Sequence, residues 1–108
     1  MDNAKTDPAS GRAARRIKNE ARLDPEVVAI QGLGFIAADD DLLRRFLNET
    51  GCDPGDLRER ARDPGFLGGV LDFLLAWEPR LLAFANASGI VPESVEVARR
   101  KLPGAAVE

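Results

Sequence analysis

The sequence predicts an all-α domain, and three observations carry that expectation. No segment alternates apolar and polar residues for long enough to require a strand, apart from a short stretch at Glu26 to Ile30. A proline repeatedly follows an acidic or loop residue and opens an apolar-periodic segment, at Asp24-Pro25, Asp53-Pro54, Asp63-Pro64, Glu78-Pro79 and Val91-Pro92. Proline at the first helical position gives up only an amide that has no partner there, and a carboxylate just before it accepts hydrogen bonds from the first turn. Third, the chain resembles itself at a spacing of 38 residues: over 33–57 against 71–95, eight of twenty-five pairs are identical. Average composition gives about two by chance. The identical pairs are Leu33/Leu71, Phe35/Phe73, Ala38/Ala76, Leu43/Leu81, Phe46/Phe84, Asn48/Asn86, Gly51/Gly89 and Pro54/Pro92.

The elements follow in order. Residues 1–11 combine small, polar and charged residues without periodicity, a composition that buries too little surface to offset its ordering entropy. Good helix formers dominate Arg12 to Arg22, and Ala13, Ile17 and Ala21 form a thin stripe at i, i+4 and i+8, so residues 1–23 read as a basic arm, disordered or a frayed helix. From residue 24 a single helical domain is expected, built of two three-helix units at about 24–62 and 63–102. The helices fall near 25–38, 40–50 and 54–62, then 64–77, 79–88 and 92–102. Asp39 to Asp41 open the second helix without proline, with carboxylates at its positive end. Gly51 and Gly89 stand where a left-handed residue ends a helix. A unit of about 38 residues is too small to hold itself together, so the two must share a core. The fourth helix is its expected centre, because Phe66, Leu67, Val70, Leu71, Phe73, Leu74 and Leu75 surround nearly its whole circumference. Gly68 and Gly69 are expected to let a neighbouring backbone approach.

Composition removes several classes of chemistry. The chain of 108 residues has no His and no Tyr, and one each of Cys, Trp and Met. A disulfide framework, a Cys/His zinc site and any catalysis by imidazole are therefore excluded within it. Charge is uneven. Residues 1–23 carry six Lys/Arg against three Asp/Glu, and residues 24–108 carry nine against fifteen, which makes a +3 arm on a −6 body and agrees with the net −3 of the whole. The arm opens without the apolar stretch of a secretory signal, and the longest apolar run, Phe73 to Trp77, is far shorter than the ~20 residues of a membrane span. A cytoplasmic protein of bacterial type with Cys52 reduced is expected.

Each candidate site has a plainer alternative. Gly32-Leu33-Gly34-Phe35-Ile36-Ala37 fits a dinucleotide-binding fingerprint, but no later strand exists to build the sheet that such a site needs. Cys52 has no imidazole to activate it and reads as a small buried hydrophobe. Asp39, Asp40 and Asp41 are consecutive, do not converge as metal ligands, and read as a helix cap. Trp77 takes the place of Asp39 in the repeat; it packs at the seam between units, or it stands exposed as an aromatic anchor for a partner. Leu81 to Leu102 has the spacing of a helix-turn-helix, with Ala85, Gly89, Ile90, Val95 and Ala98 at its small, turn and apolar positions. Glu93, Ser94 and Glu96 open its second helix, however, where acidic groups are repelled by phosphate. Arg99, Arg100 and Lys101 lie at the other end, where they suit the helix dipole.

Leu33-Gly34-Phe35, Asp63-Pro64-Gly65-Phe66-Leu67, Val70-Leu71-Asp72-Phe73-Leu74-Leu75 and Gly89-Ile90-Val91-Pro92 together resemble a small uncharacterised bacterial family, domain of unknown function 3572, over about Asp24 to Leu102. The resemblance implies an all-helical fold and brings no activity, cofactor or catalytic residue.

By subtraction, the sequence points to a non-enzymatic protein-interaction module without catalytic, metal or cofactor residues. Its partner is another protein or a second copy of itself, and the partner-binding residues are Trp77, Arg15, Arg16, Arg99 and Arg100. A helix-turn-helix nucleic-acid binder is the alternative, and no membrane partner is expected.

Overall fold

The computed structural model describes residues 24–104, and within them the chain is all-helical. Six α-helices follow one another: α1 Pro25–Ala37, α2 Asp40–Thr50, α3 Leu57–Arg60, α4 Pro64–Leu75, α5 Glu78–Ser88 and α6 Pro92–Arg100, with a 3-10 turn at Pro54–Asp56 before α3. No strand occurs among the described residues. The alternation at Glu26 to Ile30 is instead the first turns of α1. Asp24 caps that helix by accepting the Glu26 amide at 2.8 Å, and Pro25 fixes its first φ.

The same local rules set the other boundaries. Asp39 accepts the amides of Asp41 and Leu42 at the start of α2, and Asp63 accepts that of Gly65 at the start of α4. Gly51 and Gly89 end α2 and α5 in the left-handed region, at φ 72° and 77°, where a side chain is strained. Just before each glycine a hydroxyl turns back onto its own helix. Thr50 Oγ1 donates to the Phe46 carbonyl at 2.9 Å and accepts the Cys52 amide, while Ser88 Oγ donates to Phe84 at 2.8 Å and accepts the Ile90 amide. These two ends are 38 residues apart.

Packing is less regular than the caps. α1 and α4 lie against each other at the centre, α6 packs on both, α2 packs chiefly on α1 and α5 chiefly on α4. The helices expected to close the two units are unlike: α6 has nine residues, whereas α3 is a single turn of four that contacts mainly the 3-10 turn before it. The side chains explain the difference. At the 38-residue spacing Arg60 stands where Ala98 is buried, and its guanidinium lies 5.5 Å from the Phe66 ring rather than in the core. Without a second apolar position, α3 has no stripe with which to cover the central pair.

The core includes Val28, Ile36, Phe46, Leu67, Val70, Leu71, Phe73, Leu74, Phe84 and Val95. Phe73, with 4% of its surface exposed, meets Phe46 edge-to-face at 5.2 Å, Phe46 meets Phe66 at 5.7 Å, and Phe35 meets Phe84 at 5.6 Å. All five phenylalanines of the chain thus lie in two aromatic groups along the central helices. Close approach of α1 and α4 depends on Gly32, where a Cβ atom would stand 2.8 Å from Leu74 Cδ1. Of the adjacent glycines Gly68 and Gly69 in α4, Gly68 alone serves close approach. A Cβ there would meet the Pro103 carbonyl oxygen at 2.9 Å, while one at Gly69 meets nothing within 4 Å.

Candidate partner-binding cleft

A cleft of about 520 Å³ opens where α1 turns into α2 and α4 turns into α5, and two helix starts furnish much of its lining. From the first start come Asp39, Asp41 and Leu42, and from the second Trp77 and Arg80. Arg45 and Glu49 extend the lining along α2. Asp39 and Trp77 both occupy the residue before their helix in extended conformation, at φ −122° and −142°. Asp39 spends its carboxylate on capping α2. The indole cannot cap, so α5 begins without a side-chain hydrogen bond and Trp77 is left free to face outward. It is 58% exposed, the most exposed of the large apolar side chains among the described residues.

Arg80 is the buried member of the lining, with 9% of its surface exposed. Its Nε and Nη2 donate to the Phe73 carbonyl at 3.0 and 2.7 Å, satisfying an acceptor near the end of α4. The guanidinium lies over the Phe73 ring at 3.8 Å and 5.8 Å from the Trp77 ring. No carboxylate comes within 4 Å of it among the described residues. Burial pushes its pKa below the usual arginine value, Glu49 partly restores it, and Arg45 adds to the depression. The cleft therefore has a cationic, aromatic base under an exposed indole, with Asp39, Asp41 and Glu49 among its lining carboxylates. Such an arrangement offers an apolar surface and charges of both signs. It supplies no nucleophile paired with a base.

The other residues expected from the sequence are scattered. Arg99, expected at a partner interface, is instead an internal tie with 9% of its surface exposed. Its Nε and Nη2 pair with both carboxylate oxygens of Asp72 at 2.6 and 3.0 Å, and Nη1 donates to the Leu102 and Pro103 carbonyls at 3.2 and 3.0 Å. Arg100, one residue on, is exposed. Arg15 and Arg16 lie outside the described residues, as does the whole arm 1–23. Gly32 and Gly34 sit in the middle of α1, not in a strand-to-helix turn, and Asp39 is a cap. Cys52 is buried, its thiol directed at the Asp53 carbonyl oxygen at 3.4 Å. Among the described residues no cluster of three acidic or cysteine side chains is placed to hold a metal ion, and no helix is long and apolar enough to cross a membrane.

α5 and α6 are joined through Gly89, Ile90 and Val91, a turn of helix-turn-helix length. Glu93 and Glu96 are exposed at the start of α6, and Arg99 is unavailable to phosphate.

Sequence reasoning missed Arg80 and Asp72. Both are charged, and neither carries a local signal of its role, since the partners that bury Arg80 and pair Asp72 are set by the packing of other elements. The weak signal for Arg80 is its alignment, at the 38-residue spacing, with Leu42, which is half-buried.

The model of a family described as "Protein of unknown function (DUF3572)" matches residues 22–105. No curated protein and no solved structure matches the chain.

Proposed function

We infer a binding role from a premise and an observation: the chain belongs to the DUF3572 family of proteins of unknown function, and its single indole stands in water at the mouth of a cleft. The function proposed is that of a small, cytoplasmic, non-enzymatic protein-interaction module. It takes a short segment of a protein partner into the cleft, with an apolar side chain laid on Trp77 and Leu42. Half-exposing a tryptophan forgoes much of the burial that stabilises most aromatics, and tryptophan is enriched among the residues that dominate interfaces. The lack of any imidazole and the burial of Cys52 support a module without catalysis. In this reading the two units, about 24–62 and 63–102, are joined at the cleft. The recurrence of Gly51 at Gly89 and of Thr50 at Ser88 supports that division.

A random-peptide display library selected against the immobilised full chain, followed by isothermal titration of the peptides recovered, tests the proposal. Trp77→Ala should weaken binding by about 2 kcal/mol or more, roughly 30-fold, as interface hot spots do. The thermal melt followed by circular dichroism should hardly move. Peptides that bind Trp77→Ala as tightly as the unaltered chain would remove the cleft from the function.

A further inference from the structure

The exposed side of α1 points to a second contact, independent of the cleft. This helix is apolar on both faces. Val28, Ala29, Gly32 and Ile36 are buried, while Val27 and Ile30, on the opposite side, are 45% and 50% exposed. Gly34 continues the exposed stripe, and a Cβ atom there would meet nothing within 4 Å. An α-helix apolar all round is one packed on more than one side. Nothing among the described residues covers Val27 and Ile30.

We propose that the stripe Val27, Ile30, Gly34 is the docking surface of the chain's own arm, residues 12–22, folded back as an antiparallel helix. Length, register and charge argue for this occupant over any other. The described chain begins at Asp24, one turn from Val27, so the arm starts beside the stripe. A helix ending at Arg22 leaves Leu23 and Asp24 as the connection, and two residues suffice for an antiparallel helical hairpin. Both helices rise about 1.5 Å per residue, so positions equally far from the connection lie opposite one another. Ile17 then faces Ile30 and Ala13 faces Gly34, while Ala21 comes opposite Glu26, one residue short of Val27. The arm's stripe at i, i+4 and i+8 thus meets its counterpart at two of its three steps, with its one large apolar residue against the most exposed one on α1. Arg15 and Arg22 fall on the arm's outer face. The five Lys/Arg and one Glu of residues 12–22 are held against a body of net −6.

Amide hydrogen exchange on the full chain tests this. A free helix of eleven residues is marginal in water, so exchange in residues 12–22 slowed at least about tenfold relative to an unstructured peptide requires docking. That protection should disappear in Ile17→Asp and in Ile30→Asp, and persist in Leu82→Asp, which alters an exposed apolar residue on α5. The Ile17→Asp change lies outside the described domain, so amides of α4 should stay protected in it. Exchange in the arm at unstructured rates would overturn the proposal, as would protection indifferent to Ile30→Asp or lost equally in Leu82→Asp. Protection that grows with protein concentration would assign the stripe to a second copy instead.

Discussion

Two arginines show how far a single residue departs from its usual place. Arg80 and Arg99 are both about nine-tenths buried, and both donate to backbone carbonyls, Arg80 to Phe73 in the last turn of α4 and Arg99 to Leu102 and Pro103 just beyond α6. Their compensation differs. Arg99 has a two-pronged ion pair with Asp72, whose carboxylate is 57% exposed; Arg80 has two aromatic faces and, among the described residues, no carboxylate within reach. Asp72→Asn should therefore cost about 1–2 kcal/mol in a urea melt, below the 3–5 kcal/mol of a fully buried pair, because water screens one side of the bridge. Phe73→Ala removes a ring held between Phe46 and Arg80 and should cost about 3–5 kcal/mol in the same measurement. A loss under 1 kcal/mol would contradict its place in the core.

At the scale of the element, the beginnings and ends of helices were legible in the sequence. Asp24, Asp39 and Asp63 cap as their chemistry requires, and Gly51 and Gly89 take the left-handed conformation expected of them. Such signals are local, because a cap needs only its own first turn. The expected helix at 54–62 came out as a 3-10 turn and four helical residues, since Arg60 denies it a second packing position. What a helix packs against is not local, and neither the exposure of Trp77 nor the burial of Arg80 was written in their neighbours. The adjacent glycines of α4 make the same point. Gly68→Ala pushes a methyl group against the Pro103 carbonyl and Arg99 and should cost about 1–3 kcal/mol. Gly69→Ala enters open space and should stabilise the protein by about 0.4–1 kcal/mol, through the lower entropy of its unfolded chain. Paired thermal melts would separate the two.

For the whole molecule, charge decides between partners. The body from residue 24 onward is acidic, Glu93 and Glu96 face solvent at the head of α6, and Arg99 is consumed internally. Any affinity for duplex DNA should therefore reside in the arm. It should fall steeply with salt and vanish when Arg12, Arg15, Arg16, Lys18 and Arg22 are replaced by Gln in a gel-shift titration. Binding that survives those replacements would return α5 and α6 to the status of a helix-turn-helix reader.

The outward-facing Trp77 has a further consequence for anyone studying this protein in solution. With no tyrosine in the chain, its near-ultraviolet emission is almost entirely that of one indole already more than half exposed to water. Denaturant will shift the emission maximum little, so an intrinsic-fluorescence melt can look featureless while the core unfolds. The same blindness makes the indole a clean optical reporter, because a blue shift on adding another molecule signals desolvation at the mouth of the cleft.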